Sequence, residues 1–406
     1  MLLKSSHIIP MEGPNLSPGY ICVRDGIIQA IGDEFVLSMR KKGEELIDLG
    51  EMVLLPGFVN AHCHLELTAI GPLEKTDFVE WVKELVSRKN SLTNDEKSEG
   101  IKKGIAKLMR SGVTCIGDHI SFNTPLEAII KSPLKGRLFG EVIGVLPEVC
   151  NDIYTSFKNI QKEFTFHPSH FTLHPSPHSI HAVYPETLKK VLTDEPSPLS
   201  CHLAESRTEE DYFKTGKGAL ARFIRERQHD LRHPGQSGLD YLEGENLPLS
   251  KLLVVHGNYL TEKDLSAVKK HSLSIVHCPG SHEYFGHKPF PLEKLLADGI
   301  NIAIGTDSIA SNTDLDFLLE LKRIKKLHPH LEPLKILQMA TLNGARALQM
   351  DLEIGSLVAG KKADLIGFCL DGNKIPDEAP LTADYVDWMM IDGKLMMPPM
   401  VPRPDR

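Results

Sequence analysis

From Pro56 to about residue 350 the chain alternates apolar runs of five to eight residues with longer amphipathic segments, the pattern of repeated βα units around a parallel sheet. Eight runs can be counted: GFVNAH ending at His62, VTCIGD ending at Asp118, RLFGEVIGV, HFTLHP, PLSCHL around His202, LLVVHG reaching His256, LSIVHCP, and INIAIGTD ending at Asp307. Eight such units predict a closed (β/α)8 TIM barrel, and no GxGxxG follows the first run to support a dinucleotide-binding sheet.

Both ends of the chain read differently. GYICVRDG, GIIQAIGD and ELIDLGEMVLLPG are short β segments broken by Gly and Asp, and GSLVAGKKADLIGF and DYVDWMMIDGKLM return to that style after residue 350. Pairing them predicts a small β-sandwich domain built from residues 1–55 and 351–406, flanking a barrel domain at 56–350. The Pro-rich tail MPPMVPRPDR is expected to be irregular.

Composition narrows the partners. With 46 Lys and Arg against 54 Asp and Glu, the net charge is −8, and no dense basic run exists, which argues against nucleic acid. No apolar stretch approaches the roughly 20 residues of a membrane span. The start, MLLKSSHIIPMEGP, lacks the apolar core of a secretory signal, so a cytoplasmic chain is expected. Seven scattered cysteines, odd in number and never in a CxxC pair, fit neither a disulfide framework nor a thiolate zinc site. A thiolate-ligated base deaminase would also need PCxxC, which is absent.

The 19 histidines are the unusual count, and several stand where barrel strands would end. In a barrel those ends converge on one mouth. His62 and His64 lie two apart, so a strand's period of two puts both imidazoles on one face and Cys63 on the other. His202, His256 and Asp307 end three further runs, giving four imidazoles and one carboxylate around one mouth. Such donors suit zinc, and also ferrous iron or cobalt. A single strand-end histidine is more often a hydrogen-bonded rim residue; the conjunction is what points to a metal.

PGFVNAHCHL, HLAES, VVHGN, HCPGSHEYFG, NIAIGTDSIASN and the late GSLVAGKKADLI resemble the amidohydrolase superfamily over nearly the whole chain. Within it the chain is similar to the mononuclear-metal deaminase branch, which holds adenosine-type, S-adenosylhomocysteine, guanine and aminodeoxyfutalosine deaminases and chlorohydrolase-like triazine hydrolases. The binuclear branch carries a carboxylated lysine on strand four, where this chain reads HFTLHPSPHSI. The resemblance implies one zinc per chain (ferrous iron is the alternative) held by His62, His64, His202 and Asp307, with Glu205, His256 and Asp307 as the catalytic residues. A metal with an open position lowers the pKa of bound water toward ~7. Asp307 would take a proton from that water, His256 would orient it, and Glu205 would protonate a ring nitrogen before ammonia leaves. His256 could equally be a fifth ligand, and Glu205 could be a surface carboxylate at a helix start.

The implied reaction is deamination of an aminopurine base or nucleoside-like small molecule, with aminodeoxyfutalosine an attractive member. The alternatives are hydrolysis of a formimino, cyclic amide or triazine C–Cl bond, and a catalytically silent scaffold barrel. His178 in the PHS segment, Glu66, Trp81, His282 and Ser308 are the substrate-binding candidates. Glu66 reads either as a substrate contact or as a support for a ligand histidine, and Phe78 and Trp81 either as a pocket cover or as ordinary helix packing. His181 could simply cap a helix. Many relatives read HCPxSN where this chain has His282, followed by His287. Arginines that bind a substrate tail in the S-adenosylhomocysteine relatives have no evident counterpart other than Arg88. Barrels of this kind often dimerise, so a homodimer is an expectation without a named interface.

Overall fold

The computed structural model describes residues 1–164, 170–227, 235–370, 372 and 375–396. The eight apolar runs all become strands: β1 (Phe58–Cys63), β2 (Val113–Ile120), β3 (Lys135–Val142), β4 (Phe171–Pro177), β5 (Leu199–Leu203), β6 (Leu252–His256), β7 (Ser274–His277) and β8 (Ile302–Ile304). Every residue of β1 and β2 is buried, as expected for parallel strands covered by helices on one side and by the barrel interior on the other.

The strands form two parallel four-stranded sheets, β1 to β4 and β5 to β8, each in sequence order. Two isolated parallel bridges join the sheets at their C-terminal ends, Ser179 with His202 and Cys63 with Asp307. The bonds at those seams run from His202 N to His178 O (2.9 Å) and from Asp307 N to His62 O (3.1 Å). The fold is the TIM barrel expected from the sequence. Deeper in the barrel, Val59, Ala61, Cys115, Phe139, Leu253, Val276 and Ala303 pack into an apolar plug, so chemistry is confined to the mouth.

The amphipathic segments form the outer helices. In Asn94–Arg110 the Thr93 and Glu96 side chains make a capping box, and Ile101, Ile105 and Leu108 bury one face.

Beside the barrel stand two small sheets. One orders its strands Ile27–Gly32, Gly19–Arg24, Leu2–Ser5 and Leu46–Asp48. The other orders Lys394–Met396, Trp388–Ile391, Leu365–Cys369, Met52–Pro56 and His7–Ile8, so strands from both chain ends share one sheet. Leu3, Ile21 and Ile28 of the first pack with Leu54, Leu365 and Met390 of the second. Leu2–Ser5 and His7–Ile8 are strands that the sequence reading did not mark, being too short to show a period. The tail 397–406 lies outside the described residues. No helix among the described residues is long and apolar enough to cross a membrane.

A candidate metal centre at the barrel mouth

The two histidines of β1 do not reach the mouth by simple alternation. Val59 and Ala61 belong to the interior plug, and strict alternation would send Cys63 inward next. The pairing with β2 shifts register between Asn60 and Cys63, and this irregularity re-aims the strand end. His62 and His64 then stand edge to face, ring centroids 4.9 Å apart, while Cys63 turns away to Asp118 (Sγ to Oδ1, 3.4 Å).

His202 at the end of β5 brings its ring to 4.9 Å from that of His62, and His256 at the end of β6 brings its own to 5.6 Å. Asp307, just past β8, holds Oδ1 3.5 Å from His62 Nε2 and 3.8 Å from His64 Nε2. Ala204, His256 and Asp307 all carry positive φ (52°, 70° and 58°), a conformation costing about 1–3 kcal/mol for a residue with a side chain. Strain of this kind collects where side-chain direction matters more than backbone comfort.

The donors fit a metal ion. Both ring nitrogens of His62 are buried without a hydrogen-bond partner, as is Nε2 of His256. Burial, with the neighbouring imidazole of His119, pulls His62 down to about 4. Burial and His178 pull His202 down to about 3, and burial holds His64 and His256 well below the usual imidazole range. These rings are neutral and offer lone pairs. His202 Nδ1 donates to the His178 carbonyl (2.8 Å), which leaves the lone pair on Nε2. Burial would push Asp307 up, but the close approach of His62 and the nearby His256 and His64 outweigh it and hold the carboxyl well below its usual range. Ser308 N and Ser311 Oγ fix its two oxygens at 2.7 and 2.9 Å.

Comparison with protein-family models matches residues 53–396 to the Amidohydrolase family. The chain belongs to the amidohydrolase family. Among curated proteins it is 29% identical to a 5-methylthioadenosine/S-adenosylhomocysteine deaminase of Moorella thermoacetica, over 98% of this chain and 94% of that one. It is 30% identical to an aminodeoxyfutalosine deaminase of Nitratiruptor, over 77% and 78%. Its fold superposes on Helicobacter pylori aminofutalosine deaminase in complex with methylthio-coformycin, with a TM-score of 0.85, 23% identity, and 98% and 100% coverage. It also superposes on a zinc-bound adenosine deaminase of Xanthomonas campestris, with a TM-score of 0.82, 22% identity, and 97% and 92% coverage.

Around the candidate metal centre this amidohydrolase places a second ring of groups. Glu205 Oε1 lies 3.7 Å from His256 Nε2, and burial, reinforced by Asp307 and Glu209, raises its carboxyl well above the ordinary range. His178 donates Nδ1–H to Glu141 Oε1 at 2.7 Å, its ring 4.6 Å from that of His202. Ser308 is buried beside Asp307.

The other sequence candidates make contacts of their own. Trp81 is packed among Leu73 and Ala310, its Nε1–H donating to the Ala310 carbonyl (3.1 Å). His282 gives Nε2 to the Lys288 carbonyl (2.9 Å) and packs with His277, His287 and Phe290. His181 lies in a single 3-10 turn, Ile180–Ala182. Glu66 is enclosed by protein donors: Ser121 Oγ (2.7 Å), Thr124 Oγ1 and Lys89 Nζ (2.5 Å). Arg88 points outward to Glu84 and is half-exposed.

Sequence reasoning passed over His119 and Glu141. His119 joins His62, His64 and His202 with ligand-capable atoms within 4.8 Å of one another. Its nitrogens are taken by Ser200 Oγ (2.9 Å) and Glu141 (3.4 Å), which makes it a poorer ligand than the other three. The signal was present: Asp118 and His119 are adjacent polar residues on one strand, and only one can face the mouth. Asp118 turns to the Leu65 N–H (2.9 Å). Glu141 was equally visible as the lone acid inside an apolar run. Glu141, His178 and His202 also converge, but the Nδ1 atoms of both histidines are already hydrogen-bonded, so this group is a poor second metal site.

Proposed function

We propose that this amidohydrolase is a zinc-dependent deaminase that removes the exocyclic amino group of an aminopurine nucleoside-like small molecule. The observation that carries the reading is a buried acid, Glu205, beside a neutral imidazole, His256, on the rim of a cluster of neutral histidines and one ionised aspartate. The names of the relatives support the same reaction, and methylthioadenosine and aminodeoxyfutalosine are the substrates they suggest. His62, His64, His202 and Asp307 would hold the zinc, which when bound supplies a Lewis acid that lowers the pKa of a water.

The residues then divide the proton traffic. As water adds to the carbon bearing the amino group, Asp307 accepts one water proton and Glu205 gives its proton to the adjacent ring nitrogen. His256 orients the attacking oxygen through Nε2. The amino nitrogen takes the proton held by Asp307 and leaves as ammonia with the C–N bonding pair. The remaining hydroxyl proton returns to Glu205, leaving the ring carbonyl. His178, held by Glu141, contacts the heterocycle from the β4 side.

The test is ammonia release from methylthioadenosine, adenosine, S-adenosylhomocysteine, aminodeoxyfutalosine, adenine and guanine by metal-analysed protein, with Glu205→Gln as control. Ammonia from a purine-type substrate, lost in the control, is the expected result. Bound metal without ammonia from any of them would shift the reaction to an amide, formimino or C–Cl bond.

A further inference from the structure

Glu205 stands on a turn whose backbone groups are all taken. Past the end of β5 the Leu203 and Ala204 carbonyls accept from the N–H groups of Gly257 (3.0 Å) and Tyr259 (2.9 Å), and the Glu205 carbonyl accepts from Asn258 Nδ2 (3.0 Å). The Ala204 N–H donates to Glu209 Oε1 (2.9 Å) and the Glu205 N–H to Glu209 Oε2 (2.8 Å).

Two features of this clamp go beyond ordinary packing. Ser206 caps the helix Arg207–Thr215, its Oγ accepting from the Glu209 N–H at 3.2 Å. An acid at this place in a helix normally turns back to the N-cap N–H. Glu209, itself buried, reaches further, to the two peptides that flank Ala204. The positive φ of Ala204 goes with two successive N–H groups facing one carboxylate, the arrangement of a backbone anion nest. The second feature is Asn258, whose Oδ1 is buried without a hydrogen-bond partner. A half-satisfied buried amide destabilises a fold, and an apolar side chain would avoid that cost. What the amide holds is the carbonyl of the proposed proton donor.

We infer that Glu209 and Asn258 are positioning residues for Glu205, gripping its peptide N–H and its carbonyl from two different strand ends and so fixing where its carboxyl points. This rests on the deaminase reading above, in which Glu205 protonates the ring nitrogen. With both backbone groups of one residue anchored, its φ and ψ cannot drift, and the Cα–Cβ direction is set. The Glu205 carboxyl then stays beside His256, Oε1 3.7 Å from Nε2. A displacement of about 1 Å in a reacting group can slow a reaction about a hundredfold. Glu209 and Asn258 act through Glu205 and not on the substrate.

The experiment is a mutant cycle. Glu209→Gln, which sets an amide N–H2 against a backbone N–H, and Asn258→Ala are each made in wild type and in Glu205→Gln. Zinc content, kcat and KM are measured with methylthioadenosine, adenosine and aminodeoxyfutalosine. In the wild-type background each variant should lower kcat about 10- to 100-fold, with KM within about threefold and zinc content unchanged. In the Glu205→Gln background the further loss should be within about threefold, because no carboxyl proton is left to place. Equal losses in both backgrounds would show a general structural role and overturn the inference, as would an unchanged kcat or a loss of zinc. Should Glu209→Gln fail to fold, Asn258→Ala decides by the same cycle, since it frees the same residue from the other side. Ammonia from none of the three substrates in wild type would instead overturn the deaminase reading, and this inference with it.

Discussion

His62 and Asp307 meet twice: the Asp307 N–H donates to the His62 carbonyl at 3.1 Å, and the Asp307 carboxylate lies 3.5 Å from His62 Nε2. The first contact closes the seam between β8 and β1; the second brings together two donors of the candidate metal centre. His178 and His202 repeat the arrangement at the other seam, where the His178 carbonyl takes both the backbone N–H and the ring N–H of His202. Barrel closure and the placement of these donors are one structural event here.

Removing a proposed ligand should therefore register in binding and in stability. Asp307→Ala is expected to abolish tight zinc binding, and the wild-type gain in Tm with zinc, worth ~3 kcal/mol at a hundredfold excess over Kd, should vanish in the variant. Atomic absorption and thermal melts with and without chelator check this. A wild-type Tm indifferent to chelator would count against the site.

Gly305 precedes this seam, and a Cβ there would lie 2.8 Å from both the Cβ and the carbonyl oxygen of His62. Gly305→Ala should destabilise by about 1–3 kcal/mol and weaken zinc affinity, because the strand carrying a ligand must shift. Unchanged zinc affinity would show that β1 can give way freely.

Glu205→Gln should lower kcat by about 10²- to 10⁴-fold while zinc content stays at the wild-type level. Loss of zinc in this variant would make Glu205 a ligand and not a proton donor.

Glu320 offers a pH test at a residue outside the candidate metal centre. Burial pushes it up to about 7, although Arg323, Asn312 and the Gly280 N–H all donate to it. The folded chain thus holds this proton more tightly than the unfolded chain does, so the group's contribution falls as pH rises from its ordinary value of 4.5 to about 7. The stability advantage of wild type over Glu320→Gln, measured by urea unfolding, should shrink by about 1–3 kcal/mol between about pH 5 and pH 8. A widening gap would show an ionised carboxylate throughout.

The small sheets are tied to the barrel by Lys135, whose Nζ lies 2.7 Å from both Asp364 and Asp392 and whose side chain is 5% exposed. Lys135→Met leaves two carboxylates facing each other and should cost about 3–5 kcal/mol. Chemical denaturation measures it; a cost below ~1 kcal/mol would mean that water replaces the cation.

Much of this was legible in the chain. Eight apolar runs specified eight strands because burial on both faces leaves little choice of composition, and HxH, His202, His256 and Asp307 were recognisable as strand-end polar residues. The pleat argument placed the His62 and His64 rings side by side, where they stand, but an irregularity in β1 and not simple alternation aims them. Arg88 was the one possible counterpart in the sequence of the relatives' tail-binding arginines, yet the helix period turns it to solvent and turns its neighbour Lys89 inward.

The sequence by itself determined which residues could bind a metal and in what order the strands carry them, because hydrophobic period and donor chemistry are local properties. Only the tertiary structure decided which donors remain free. Glu66 and His119 have the chemistry to act directly, but Lys89, Ser121, Ser200 and Glu141, remote in the chain, already occupy their atoms. A hydrogen bond made across the barrel depends on which strands become neighbours, and that is settled when the seams close.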